Sequence, residues 1–285
     1  MQHRWLHLFF WLTVLSVLTA IGVGGWVLLC GDGSSTSSLK WLQFIQTLVT
    51  FILPSVICAW LWDADKRPFA WLKMEHAPSW QDALLAVAVM ICAIPAINLL
   101  ADLNSRIDLP ESLGALEQWM TQRETEAADL TQRFLQADNI GMLLVNIGLM
   151  ALFPAIAEEI SFRGTLQQLF TNHQSSSHEG RSGGVPHLAI WATAVVFSAI
   201  HFQFYGFIPR MLMGAAFGYV FAWSGNLWLP ILMHFTNNAV AVIAFYALTN
   251  YADTIGAGTT WWIGVLSLMI TCLGLLIFYR RTHTR

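Results

Sequence analysis

Glu158-Glu159-Ile160-Ser161-Phe162-Arg163 decides how this chain is read, because it sets three ionisable residues into an apolar run that extends from near Ile140 to Leu169 and Phe170. Two later segments have the same character: Phe197-Ser198-Ala199-Ile200-His201, and His234-Phe235-Thr236-Asn237-Asn238. Each lies inside a hydrophobic stretch long enough to cross a bilayer. An ionisable group at such depth costs at least ~2.5 kcal/mol even on the most lenient scale, so its presence points to chemistry.

Composition describes the same environment. Of 285 residues, 56% are hydrophobic and 11% charged, where soluble domains carry roughly 25% charged residues. The chain is therefore expected to be all-α, a polytopic membrane helix bundle. A net charge of -3 and the lack of any Lys/Arg-rich run give nucleic acid no footing as a partner, and nothing points to a nucleotide. Cys30, Cys58, Cys92 and Cys272 show no CxxC spacing and sit in or beside apolar stretches, which reads as packing rather than a disulfide framework or a thiolate metal site. Leu29, preceding Cys30, argues against a lipoprotein cleavage site.

Outward from the central stretch, spans of about the twenty residues a bilayer needs recur. They run over 5–30, 39–62, 82–100, the run from Ile140 to Phe170, 187–204, 208–223, 227–248 and 261–279, eight in all. The first is too long for a signal-peptide core and is read as a retained helix. Pro54 and Pro95 lie inside spans, where neighbouring helices can satisfy the carbonyls that proline frees. Between Leu103 and Asn139 the composition turns acidic, while Leu113, Leu116, Trp119 and Met120, and again Leu130, Phe134 and Leu135, recur at helical spacing. That segment is expected to be an amphipathic connector on the membrane surface, or a lid facing substrate. A Ser/His/Gly-rich loop covers 171–186, with His173, His178 and His187 in or beside it at spacing too irregular for a metal site.

Three regions follow: N-terminal membrane helices with the acidic connector (1–139), a core carrying the three polar clusters (140–250), and a C-terminal helix with a basic tail (251–285). With an even number of spans, Arg4, Lys66, Arg67, Lys73, Arg163, Arg181, Arg280, Arg281 and Arg285 fall on the side of the termini, against Lys40, Arg106, Arg123, Arg133 and Arg210. Nine against five places both termini in the cytoplasm. Gly214 and Gly218 form a small-xxx-small pattern read as close helix packing.

Residues four apart share a helix face, and a Glu placed before an Arg at that spacing is the favourable order for an ion pair. Glu159 and Arg163 meet this rule. Glu158 lies about 100° round the helix and has Phe162 at its i+4 position, so it is the free carboxylate. His201 shares a face with Phe197, and His234 with Asn237 and Asn238. One carboxylate, two imidazoles and an amide suffice to hydrolyse a peptide bond: Glu158 and His201 polarise a water, while His234 and Asn238 donate to the developing oxyanion. Glu158, His201 and His234 are equally a ligand set for catalytic Zn2+, although the helical HExxH arrangement is absent, and both alternatives stand. Ser161 and Ser198 lack a paired base at evident spacing and are weak nucleophile candidates. A helix entering the membrane at Ile140 would carry Glu158 ~27 Å down, out of reach of His201, so the shared site requires that helix to enter nearer Asn146 and continue to about Phe170, or the next helix to begin below the membrane.

The order EExxxR, FxxxH, HxxxN, with Phe162-Arg163-Gly164 continuing the first motif, resembles the CPBP family over about Ile140 to Leu248. That family comprises type II CAAX prenyl endopeptidases and bacterial relatives linked to bacteriocin processing and self-immunity. The resemblance implies an intramembrane peptidase with Glu158 as the water-activating residue, Glu159 and Arg163 flanking it, His201 as partner, and His234 and Asn238 completing the site. Family members are often labelled metalloproteases, which leaves the zinc question where the residues left it. Short loops and simple architecture look bacterial, implying a cytoplasmic-membrane location and, as substrate, a hydrophobic peptide or membrane-embedded protein rather than a prenylated one. Competing readings are a non-catalytic scaffold or immunity protein using the same pocket, and a transporter, for which no inverted repeat is visible.

Overall fold

A computed structural model describes residues 2–30, 35–107, 109–174, 185–251 and 260–283; most of the Ser/His/Gly-rich loop lies outside them. The described residues are helices joined by turns. In chain order these are α1 (Gln2–Cys30), α2 (Thr36–Trp62), a single turn α3 (Pro68–Trp71), α4 (Trp80–Ser105), α5 (Gly114–Leu135), α6 (Ile140–Thr171), α7 (His187–Ala199), α8 (Phe207–Ser224), α9 (Trp228–Tyr251) and α10 (Trp261–His283).

The outer faces of the bundle are unlike those of a soluble protein, although its interior is mostly apolar too. Large apolar side chains stand exposed on its outer faces, among them Phe9 and Ile21 on α1, Leu84 on α4, Leu144 on α6 and Met269 on α10, while Asn146, Glu159, Ser161, Arg163, Thr165 and Gln167 are buried along α6. Water would not tolerate that distribution, whereas lipid makes it the stable one. Six helices, α1, α2, α4, α6, α9 and α10, are long and apolar enough to cross a membrane. The count of eight spans is reached only by adding α7 and α8. At 13 residues α7 would cover only ~20 Å of a ~30 Å hydrocarbon core, and with the 18-residue α8 it forms a hairpin packed against α6.

Proline and its neighbours shape the long helices. Within α2 and α6 the backbone widens into a π turn directly before Leu53-Pro54 and Phe153-Pro154, with Leu53 N–H donating to the Leu48 carbonyl and Phe153 N–H to that of Gly148, five residues back. The wider turn relieves the clash that proline makes with the preceding turn. In α4 the solution is a side chain. Ser267 of α10 enters the interrupted ladder beyond Pro95, accepting from Ala96 N–H and donating to the Cys92 carbonyl. Gly264 and Gly274 let α10 approach this closely, since a Cβ at either would stand 2.6 Å from Leu99 or Val89.

At the end of the bundle where α6 finishes, the connector around α3 is stitched to the α8–α9 turn. Leu227 N–H donates to the Lys73 carbonyl, Trp228 Nε1 to Met74 and Asn226 Nδ2 to His76, and Gln168 of α6 donates to the Trp71 carbonyl. At the other end Asn146 Nδ2 donates to the Leu135 and Gln136 carbonyls, capping α5, while Lys40 Nζ on α2 donates to Asn146 Oδ1 at 2.7 Å. The acidic connector is thus a helix held across α2 and α6.

Replacing Ser267 by Ala removes both partners of the opened α4 ladder, and thermal unfolding in detergent should show a loss of about 1–3 kcal/mol. Combining it with Pro95→Ala, which lets the ladder close on itself, should recover part of that loss.

Candidate active site

Two carboxylates enter the bundle on consecutive residues of α6 and meet different environments. Glu159 is fully buried, and its Oε1 accepts from Arg163 Nη1 at 2.7 Å, one turn along, and from His234 Nδ1 on α9 at 2.9 Å. Arg163, equally buried, donates through Nη2 to the Gly214 carbonyl on α8 at 2.8 Å and lies over the rings of Phe197 and Phe217, 4.6 and 5.4 Å from their centroids. Buried charge survives only when paired and hydrogen-bonded, and two aromatic faces add cation–π attraction. The ion pair read from the i,i+4 spacing is present, and it ties together α6, α8 and α9.

Gly214 and Gly218 turn out to serve this network as well as packing. A Cβ on Gly214 would stand 3.1 Å from Arg163 Nη2 and 3.2 Å from the Phe197 ring, and one on Gly218 would stand 2.7 Å from Gln167 Oε1. Gln167 Nε2 donates to the Gly218 carbonyl at 3.0 Å, repeating one turn later what Arg163 does at Gly214. A third π turn, Phe162–Gln167, carries both polar side chains. Such turns are frequent at functional sites.

Glu158, rotated away from this pair, faces a cavity of about 700 Å3. Its side chain is 16% exposed, and its Oε2 lies 3.9 Å from Nε2 of His201 and 3.9 Å from Nε2 of His234. Both imidazoles are aimed by their other nitrogen. His201 Nδ1 donates to the Phe197 carbonyl at 2.7 Å and His234 Nδ1 to Glu159, and since both partners only accept, each Nδ1 carries a proton. His234 is further fixed by stacking on Phe217 at 5.5 Å, with the Phe197 ring edge-on at 5.9 Å. Phe197 thus orients His201 with its backbone and contacts Arg163 and His234 with its ring. Asn237 and Asn238 line the same cavity, and Asn237 Nδ2 donates to Asn238 Oδ1 at 3.2 Å, which leaves Asn238 its own amide N–H groups to offer.

The six residues singled out in the sequence therefore lie together: Glu158, His201, His234 and Asn238 on the cavity wall, with Glu159 and Arg163 behind it. Their meeting resolves the depth argument. Glu158 lies 13 residues before Thr171 and His201 14 residues after His187, or ~20 and ~21 Å along antiparallel neighbours. The 32 residues of α6 span ~48 Å, more than a bilayer's hydrocarbon.

His201 lies beyond the end of α7, in a turn, and not within a helix continuing to Phe204. Non-helical backbone at this depth needs partners, and it has them: Ser198 Oγ donates to the Phe207 carbonyl, Asn104 Nδ2 to those of Phe204 and Tyr205, and Arg210 to Gln203. Phe202 takes a left-handed conformation, φ 53°, that costs a bulky residue energy and turns the chain beside His201. Ser198 and Ser161 are spent on structure. Ser161 is buried in a chain of donors running from Trp11 Nε1 through Ser55 Oγ and Ser161 Oγ to the Phe51 carbonyl. Neither serine is placed as a nucleophile.

A zinc ion fits these positions poorly. Neighbouring ligands of a tetrahedral zinc are roughly 3.3 Å apart given metal–ligand bonds of about 2.0–2.1 Å, less than the 3.9 Å separating Glu158 from each imidazole. Among the described residues no three His, Cys, Asp or Glu side chains are grouped to hold a metal ion.

Sequence reasoning missed Arg210 and Gln203, which also line the cavity, and placed Arg210 among loop cations. It also counted Arg163 among them. Without these two the charge imbalance is eight against four. The signal for Arg210 was its position three residues after Phe207, at the start of an apolar helix. The lid alternative for the acidic connector gains a geometric basis: Ala127, Leu130, Thr131, Phe134 and Leu135 of α5 form one side of the cavity. Trp119 packs on Phe204 at 5.2 Å and Thr121 bonds to Tyr205 at 3.0 Å, joining α5 to the turn that carries His201.

Helices with apolar outer surfaces and a carboxylate–imidazole cluster among them define an integral membrane protein with a polar site inside the bundle. Residues 140–240 match the family described as Type II CAAX prenyl endopeptidase Rce1-like. YpbD of Bacillus subtilis (strain 168), an uncharacterized protein, is 30% identical over 95 residues, which is 32% of this chain and 41% of that protein. The chain thus spans about two fifths of the length of the curated relative it matches. No solved structure matches.

Arg163→Gln leaves Glu159 buried without its cation and should cost about 3–5 kcal/mol in thermal unfolding. The double change Glu159→Gln with Arg163→Gln should be less destabilising than the single one.

Proposed function

We propose that this protein is an intramembrane endopeptidase that hydrolyses a peptide bond of a hydrophobic peptide or membrane-associated protein, using water activated by Glu158. The observation that supports this most directly is the convergence of Glu158 Oε2 with Nε2 of His201 and His234, each at 3.9 Å, on the wall of a cavity inside an apolar bundle. Such a separation is too long for a direct hydrogen bond, and the Glu158 side chain keeps 16% of its surface exposed where it lines the cavity.

The steps follow from the proton positions. Neutral His201 presents a lone pair at Nε2 and orients the water by accepting one of its hydrogens. Glu158 accepts the other proton as the water oxygen attacks the peptide carbonyl carbon. The oxyanion takes hydrogen bonds from the Asn238 amide and from His234 Nε2–H when that ring is protonated. Glu158 then passes its proton to the amide nitrogen as the C–N bond breaks, releasing an acid and an amine. General acid–base transfer of this kind contributes about 10²–10⁴-fold, and one oxyanion donor about 10²–10³-fold. No step is assigned to a metal, because the ligand spacing does not suit one.

The cavity's polar wall and the apolar side chains of α5 suit a substrate with apolar flanks. For orientation we propose both termini on the cytoplasmic side, supported by the remaining Lys/Arg imbalance.

Purified protein in detergent or nanodiscs should cleave members of a hydrophobic peptide library, and Glu158→Gln should lower the rate at least about 100-fold with the unfolding temperature nearly unchanged. His201→Ala should act in the same direction. Zinc chelators should leave the wild-type rate intact. A Glu158→Gln protein with full biological effect would favour the scaffold reading.

A further inference from the structure

Arg210 is the cavity's unassigned charge. It stands in the first turn of α8, where the helix dipole is already positive and a cation is disfavoured. It is partly buried, yet among the described residues no carboxylate lies within ion-pair distance of it. Its hydrogen-bond partner is the neutral Gln203, whose Oε1 accepts from Nη2 at 2.6 Å and whose backbone carbonyl accepts from Nη1 at 3.4 Å. Both side chains line the cavity that holds Glu158, His201, His234 and Asn238. The carboxylates that act on Arg210 through space are Glu124 of α5 and Glu158. Burial, a neutral hydrogen-bond partner and the wrong pole of a helix are three costs borne by one residue, and among the described residues Glu124 and Glu158 offset them only through space, with no direct ion pair.

Resting on the peptidase reading above, we infer that Arg210 is a specificity-determining residue that binds a carboxylate of the peptide substrate, either its C-terminal carboxylate or an Asp/Glu side chain near the scissile bond. A guanidinium offers a planar fork of donors matched to a carboxylate, and such charge-assisted bonds are the strong ones. Gln203 holds the fork on one side and is neutral, so it orients Arg210 without satisfying its charge.

The test measures binding and cleavage separately. Hydrophobic library peptides are made in three matched forms: free C-terminal acid, C-terminal amide, and amide with one Asp near the C-terminus. Binding is measured to the full-length Glu158→Gln protein in nanodiscs, where nothing is cut. At least one acidic form should bind about ten-fold or more tighter than the neutral amide, and Arg210→Gln should erase that ratio. A preference for the free acid alone identifies the chain terminus as the source of the carboxylate, and one for the Asp form identifies a side chain. Gln203→Glu, nearly isosteric, supplies Arg210 with an internal carboxylate and should abolish the preference too, which covers the case of an Arg210 variant that fails to fold. Equal binding of all three forms, or a preference that survives both substitutions, overturns the inference. Cleavage by protein with Glu158 intact judges the peptidase reading independently: a carboxylate preference without cleavage removes that reading and leaves Arg210 as a ligand-binding residue.

Discussion

The buried Glu159–Arg163 pair is the interaction on which the site depends. A carboxylate and a guanidinium with no exposure to solvent would be ruinous alone, and the protein offsets them with further polar partners drawn from other helices. Arg163 takes the Gly214 carbonyl of α8, and Glu159 takes His234 of α9. Satisfying one ion pair thereby fixes three helices relative to one another. It also fixes His234 in the orientation that turns Nε2 toward Glu158. The structural carboxylate and the proposed working one are sequence neighbours because α-helical geometry sends neighbours in different directions, one into the protein and the other into the cavity.

Irregular backbone recurs through the bundle, and each of these instances has an identifiable partner. π turns accommodate Pro54 and Pro154, Ser267 fills the gap beyond Pro95, and the turn after α7 is held by Ser198, Asn104 and Arg210. In a membrane interior an unsatisfied peptide group costs several kcal/mol, so non-helical chain survives only where protein groups replace water. That constraint explains why the segment bearing His201 is so heavily hydrogen-bonded although it is not helical. The strain at Phe202 is sustained by the same contacts.

The cavity has two unlike sides. Polar groups lie on α6, α8, α9 and the His201 turn, whereas α5 contributes mainly apolar side chains. Because α5 is anchored at one end through Asn146 and along its length through Trp119 and Thr121, its position is coupled to the turn carrying His201. A substrate moving α5 would therefore act on the site's geometry as well as on access to it.

Membrane class, the Glu159–Arg163 pairing, the isolation of Glu158 and the grouping of His201, His234 and Asn238 were all legible in the sequence, because hydropathy and helical periodicity are local properties of the chain. So was the family resemblance carried by the three motifs. What the sequence could not decide was where a helix stops and what crosses from one helix to another. The end of α7 at Ala199, short of the predicted Phe204, depends on Ser198, Asn104 and Arg210 meeting carbonyls far along the chain, which no local pattern encodes. Arg210 reads in sequence as a loop cation and Gly214 as a packing residue, and only the tertiary structure shows one lining the cavity and the other offering a carbonyl to Arg163. Burial is set by neighbours remote in sequence, and burial is what turns an ordinary charge into a chemical group.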